Sequence, residues 1–179
     1  KASSQIDSAQ DGWGKGPTFG DVDNDGDLDL YEGDCKLANQ LYINDGKGNF
    51  KNIAADQPQL QCATVRTKGT AFADIDNDGD LDLYVINWGA ENKLYKNTQN
   101  DGNWIKLAGL PMGARVALYD GDQLIASREV KSATGFCAQE PAVAHFGVVA
   151  GKSYTAKITA PGGAVQSVTV KAGQFTKVN

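Results

Sequence analysis

Two stretches of this chain are nearly the same string. Asp21-Val22-Asp23-Asn24-Asp25-Gly26-Asp27-Leu28-Asp29-Leu30-Tyr31 recurs as Asp74-Ile75-Asp76-Asn77-Asp78-Gly79-Asp80-Leu81-Asp82-Leu83-Tyr84. Each places aspartates at five alternate positions, so each must find a counter-charge to fold. Two like charges about 4 Å apart cost roughly 4 kcal/mol at an effective dielectric near 20. An all-oxygen donor set suits a hard divalent cation, and Ca²⁺ accepts roughly six to eight oxygens in a flexible shell. The expectation is two Ca²⁺ sites, one built from Asp21, Asp23, Asp25, Asp27 and Asp29, the other from Asp74, Asp76, Asp78, Asp80 and Asp82.

Position within the loop suggests the roles. The first three aspartates curl inward while Gly26 or Gly79 takes a turn that needs positive φ. Asp27 and Asp80 would ligate through the main chain and turn their carboxylates to water, and Asp29 and Asp82 would close the shell. An EF-hand is excluded by the flanks. Gly14-Lys15-Gly16-Pro17 cannot enter as a helix, Tyr31-Glu32-Gly33-Asp34 does not begin one, and Val85 stands where that loop needs its twelfth ligand.

The shift from Asp21 to Asp74 is 53 residues, and it holds without a gap from Lys15/Lys68 to Asn44/Asn97. A period near 50 with several short strands per unit marks a propeller-type blade. Each unit reads as a strand into the loop (17–21; 69–74), a strand out (28–32; 81–87) and a third carrying Leu-Tyr (39–44; 92–97). The first unit adds a fourth strand near 49–54, after the turn Asn44-Asp45-Gly46-Lys47-Gly48. From about Asn103 the repeat stops. Segments 104–107, 114–119, 123–130, 143–148, 153–159, 165–170 and 174–178 read as strands separated by turn signals such as Asp120-Gly121-Asp122 and Pro161-Gly162-Gly163, the pattern of an antiparallel β-sandwich. The fold class is therefore all-β. Its parts are a lead-in at 1–12, two repeats at 13–102 (about 13–65 and 66–102) and a sandwich at 103–179, with the repeats leaning on the sandwich.

The 21 glycines and scarce helix formers agree with that class. A net charge of −5 argues against nucleic acid or an anionic membrane surface as partner. Ten of the 22 acidic residues lie in the two loops, and two Ca²⁺ ions would bring the formal charge to −1. No apolar run spans a bilayer, and Lys1-Ala2-Ser3-Ser4 reads as a mature or trimmed start. Open calcium loops fill at extracellular levels, so a secreted or periplasmic location is expected. In an oxidising compartment Cys35, Cys62 and Cys137 allow one pair. Cys35 follows the first exit strand and Cys62 precedes the second entering strand, so a Cys35–Cys62 bridge is expected, three buried thiols being the alternative.

Phe19-Gly20-Asp21 through Asp29-Leu30-Tyr31, with Phe72-Ala73-Asp74 and Leu83-Tyr84-Val85, resembles the FG-GAP/VCBS repeat of integrin α-chain propellers and many secreted bacterial proteins. Gly12-Trp13-Gly14-Lys15-Gly16 and Asn39-Gln40-Leu41-Tyr42-Ile43-Asn44-Asp45-Gly46 are similar to the cartilage acidic protein subgroup. Met112-Gly113-Ala114-Arg115-Val116, Arg128-Glu129-Val130, Gly135-Phe136 and His145-Phe146-Gly147-Val148 resemble its ASPIC/UnbV domain, though Val148-Val149 and Ala160-Pro161-Gly162-Gly163 depart from the usual pattern. The resemblance implies blade-like calcium repeats followed by that domain.

Enzymatic chemistry is disfavoured. The carboxylates converge on a point instead of facing each other across a cleft, and His145 is the only histidine. The expected function is a non-enzymatic calcium-binding module whose two ions stiffen β-repeats for adhesion or protein contact, with an extracellular protein or glycan as partner and no membrane insertion. Trp13, Trp88 and Trp104 keep a calcium-dependent lectin as the alternative.

Overall fold

A computed structural model describes Ile6 and residues 12–99, 101–131, 133 and 135–178. The lead-in expected at 1–12 lies largely outside the described residues. Among them the chain is almost entirely β, in several sheets with no closed barrel.

The first blade is an antiparallel sheet of β1 (Gly14–Gly20), β2 (Asp29–Asp34), β3 (Gln40–Asn44) and β4 (Phe50–Asn52), in that order. Two short 3-10 turns, Ala54–Asp56 and Pro58–Gln61, lead on to the second blade, β5 (Arg66–Ala73), β6 (Asp82–Trp88) and β7 (Lys93–Tyr95). Side chains alternate across a strand. On β2, Tyr31 and, beside it on β3, Leu41 point to one face; on β5 and β6, Phe72, Leu83 and Val85 point back, and these five close into one core. Burying each such side chain contributes roughly 1.5–3 kcal/mol. A polar seam crosses the same interface. Asn39 donates to the Tyr31 hydroxyl and to Thr67 Oγ1 (both 2.9 Å), and Thr67 donates to Asn87 Oδ1 (3.0 Å).

The second blade lacks a fourth strand. The residues one period beyond Phe50–Asn52 are Asn103–Ile105, and the chain spends them on the opening of β8 (Trp104–Ala108). The first blade's face is covered by the second, whereas among the described residues no further blade packs on the outer face of the second. Tyr84 and Leu94 are 40% and 52% exposed, where their counterparts Tyr31 and Leu41 are at 0% and 7%.

The remaining strands are β9 (Arg115–Asp120), β10 (Gln123–Glu129), β11 (Ala144–Gly147), β12 (Ser153–Thr159), β13 (Val165–Lys171) and β14 (Gln174–Lys177). They form a sandwich of two sheets, β10-β9-β12-β13 against β11-β8-β14. Its core joins Val116, Leu118, Ala156 and Ile158 of one sheet to Ile105, Leu107 and Phe146 of the other. One pairing departs from the antiparallel expectation: β14 runs parallel to β8. The two-residue turn Ala172-Gly173 carries the chain across to the other sheet instead of back along β13, and Gly173 N–H donates to Trp104 O (2.8 Å).

The expected Cys35–Cys62 bridge is not formed; all three cysteines are free thiols. Buried Cys35 donates to the Thr67 carbonyl (3.0 Å), whereas Cys62 lies beyond the 3-10 turns with its sulfur 3.3 Å from the Tyr95 hydroxyl. Each sulfur is engaged with a different strand of the second blade. Cys137 is exposed.

Candidate metal centres

Both loops take the same backbone path because both carry an asparagine and a glycine where it turns left-handed. Asn24 and Asn77 have φ of 59° and 63°, and Gly26 and Gly79 have φ of 106° and 97°. Asparagine tolerates that region and glycine occupies it without penalty. Side chains then brace the turn from within. Asp27 N–H donates to Asp25 Oδ1 in the first loop, and Asp80 N–H to Asp78 Oδ1 in the second (3.1 and 3.0 Å). The last aspartate ties each loop to its blade. Asp29 accepts Val22 N–H and Asn44 N–H (both 2.9 Å), and Asp82 accepts Ile75 N–H and Asn97 N–H (3.0 and 2.9 Å).

Of the ten predicted aspartates, six gather into two groups with oxygens within 4.8 Å of one another: Asp21, Asp23 and Asp29, and Asp74, Asp76 and Asp78. These two acidic groups could hold metal ions. Asp25 is exposed at the rim of the first loop, and Asp27 is half-buried. Asp80 does not face water as expected. It is fully buried at the seam between the loops, where its Oδ1 accepts from Asn24 Nδ2 (2.8 Å).

The first loop is short of counter-charge. Asp21 Oδ1, Asp23 Oδ1 and Asp27 Oδ1 are buried without a hydrogen-bond partner, and Asp21 is only 1% exposed. Burial pushes Asp21 up to about 6, against the pull of Gly147 N–H and Arg128, and pushes Asp29 up to about 7. Asp23 and Asp27 are raised by burial and then by Asp25 beside them. Buried oxygens that lack protons to accept are what a hard cation satisfies, so the donor set fits Ca²⁺.

The sandwich supplies the remaining contacts, which sequence motifs did not disclose. Trp104 and Lys106 on β8 pair in register with Gly147 and His145 on β11, and this face of the sheet meets the loops. Gly147 N–H donates to Asp21 Oδ2 (2.7 Å), and His145 Nε2 lies 2.7 Å from Gly79 O. Burial holds the His145 ring at about 4, hence neutral near pH 7. Lys106 Nζ reaches Asp74 Oδ2 (2.9 Å), Asp74 O (3.3 Å) and Asn77 Oδ1 (3.2 Å). Trp104 lies flat on the second turn: a Cβ at Gly79 would sit 1.7 Å from its ring. Arg128 on β10 comes from the other sheet, 3.6 Å from Asp21 Oδ2, with its guanidinium over Phe146.

Residues 33–85 match a family model described as an FG-GAP-like repeat, and residues 109–179 match one described as ASPIC and UnbV. The chain joins an FG-GAP-like repeat to an ASPIC/UnbV domain. No curated protein matches it. The FG-GAP match covers the whole second loop and stops short of the first, which the 53-residue period assigns to the same kind of unit. Within the ASPIC/UnbV match lie Arg128, His145 and Gly147, so strands of that match touch both acidic loops.

Between the two parts runs a cleft of about 640 Å³, with Pro17, Phe19 and Phe72 on its apolar wall and Arg115, Arg128 and Glu140 at its polar margin. Thr18 donates to Glu140 Oε1 across it (2.5 Å).

Proposed function

We propose that this chain is a secreted or periplasmic, non-enzymatic calcium-binding module of the cartilage acidic protein type. Ca²⁺ held by the loop carboxylates stiffens the β-repeats, which present a surface for adhesion or contact with an extracellular protein. One observation carries the reading: three buried carboxylate oxygens in the first loop, those of Asp21, Asp23 and Asp27, have no hydrogen-bond partner. Backbone amides, the other loop carboxylates and the Arg128 guanidinium surround them, and the carboxylates of Asp21, Asp23 and Asp29 converge on one point at the edge of the cleft that Asp21 lines. That arrangement supports ion binding over catalysis, as does a lone histidine buried against a carbonyl. The net charge of −5 disfavours nucleic acid, and no helix among the described residues is long and apolar enough to cross a membrane.

Calorimetric unfolding in 1 mM Ca²⁺ against excess chelator tests the proposal. A site with a Kd of about 10 µM adds roughly 2.7 kcal/mol under those conditions. An unchanged melting temperature would sink it. A second reading, a calcium-dependent lectin, is favoured by the well-exposed rings of Trp13 and Trp88. Lys36 and Lys68 stand over those rings at 4.4 and 4.6 Å, each leaving the opposite face for a sugar. Calcium-dependent signals on a glycan array would favour it; silence with and without Ca²⁺ would leave protein contact ahead.

A further inference from the structure

The two loops share a sequence but not a neighbourhood. Lys106 Nζ is surrounded by three oxygens of the second loop, from Asp74 and Asn77, and its side chain is only 9% exposed. On the solvent side of the same loop, Lys96 pairs with Asp76 and stands 3.6 Å from Asp78. One period earlier, the residue at the place of Lys96 is Ile43. The first loop therefore has no lysine among its carboxylates. Its one cationic neighbour among the described residues is Arg128, which reaches Asp21 from the edge at 3.6 Å and Gly26 O at 3.5 Å. The consequence shows in the orphaned carboxylate oxygens, three in the first loop against Asp74 Oδ1 alone in the second. Covering differs as well. The second turn lies under the Trp104 ring, whereas Gly147 O approaches the Gly26 turn no closer than an ordinary contact of 3.5 Å to a Cβ placed there.

We infer that the chain binds one divalent cation tightly, at the first loop, and that the second loop holds the Lys106 ammonium as its resident counter-ion with Lys96 closing the outer side. This rests on reading the first loop as a Ca²⁺ site. An ammonium hydrogen-bonded to Asp74 already neutralises one carboxylate, and a second positive charge placed a few ångströms away must either evict it or endure the repulsion. At short range in a partly buried site that penalty lowers affinity on the order of 100-fold or more. In the first loop the cation beside the carboxylates, Arg128, stands 3.6 Å from Asp21 Oδ2 and leaves Asp21 Oδ1 and Asp23 Oδ1 without a hydrogen bond. Asp21 and Asp23 instead present oxygens with no other use.

Titration calorimetry of the metal-free full chain with CaCl₂ decides the matter. The expected stoichiometry is one ion per chain in the micromolar range, falling to none with Asp23→Asn. Lys96→Ile, which installs the first repeat's residue on an exposed position, should tighten the second loop about 10-fold, and Lys106→Met with Lys96→Ile should raise the stoichiometry to two. Two ions of comparable affinity in the unmodified chain would overturn the inference while leaving the calcium reading intact. No binding at all would remove both. Should Lys106→Met fail to fold, Lys96→Ile alone decides: a second, weaker binding step that strengthens supports the inference, and an unaltered isotherm overturns it.

Discussion

The first and second loops agree at ten of eleven positions, yet their carboxylates live in different electrostatic settings. In the first, burial and mutual repulsion raise Asp21, Asp23, Asp27 and Asp29 together. In the second, a hydrogen bond from Lys96 holds Asp76 below the usual carboxylate range, and Lys106 sits on Asp74. The difference comes from outside the loop motif: one residue just past the third strand of the blade, Lys96 where Ile43 stands, and one on a strand of the sandwich. A metal-loop motif specifies a backbone shape, and the charges brought to it decide what fills it.

The comparison breaks most visibly at Asp74. Asp74→Asn leaves the Lys106 ammonium buried without its carboxylate, and losing one partner of a buried pair costs about 3 kcal/mol or more. Urea unfolding in chelator should show that loss, with Asp21→Asn costing only about 1 kcal/mol under the same conditions; equal losses would mean the loops are electrostatically alike. Calcium reverses the order. Asp21→Asn should abolish most of the calcium-dependent rise in melting temperature, about 5–10 °C for a chain of this size if the ion contributes near 2.7 kcal/mol. A full rise retained in that variant would take the ion away from the first loop.

The pH dependence sharpens the contrast. Asp21 and Asp29 stand at about 6 and about 7, above their ordinary values, so the folded state holds protons that the unfolded chain has released. Their favourable contribution is complete below about pH 4 and is lost as the pH climbs through 6 and 7. Metal-free protein should therefore melt progressively lower between pH 5 and 8. Saturating Ca²⁺, which needs ionised carboxylates, should turn the slope upward. Asp29→Asn should flatten the metal-free slope more than Asp82→Asn; a pH-independent melting temperature in chelator would contradict the burial argument. The smallest effect contrasts the blades themselves. Tyr31→Phe removes a buried hydroxyl that donates to Leu60 O (2.5 Å) and accepts from Asn39, at about 1–2 kcal/mol. Tyr84→Phe, at the same place in the open blade, should cost under about 0.5 kcal/mol.

The strands were legible because two-residue alternation and turn residues agree along most of the chain: every strand of the sandwich begins and ends within about a residue or two of its expected place. The 53-residue period likewise exposed both loops. Three things escaped. The 3-10 turns at Ala54–Gln61 have no period of their own. Strand β14 carries alternation, which is silent about whether its neighbour runs parallel. The contacts that differentiate the loops depend on how two domains meet. A trace of them was present, since Trp104 and Lys106 share a face opposite buried Ile105 and Leu107, as His145 and Gly147 do opposite Ala144 and Phe146. A tryptophan and a lysine two apart in an otherwise apolar strand mark a face that meets something other than the domain's own core. The cysteines misled because proximity along the repeat did not translate into proximity of sulfurs.

The diversion of the second blade's fourth strand into the sandwich also sets an order of assembly. As the chain is made from its N-terminus, both blades emerge before β8 does. From that moment the first loop can draw its counter-charge from solution. The second loop has Lys96 at hand but must wait for Lys106, and for the indole of Trp104, to arrive from the strand that its own blade gave up.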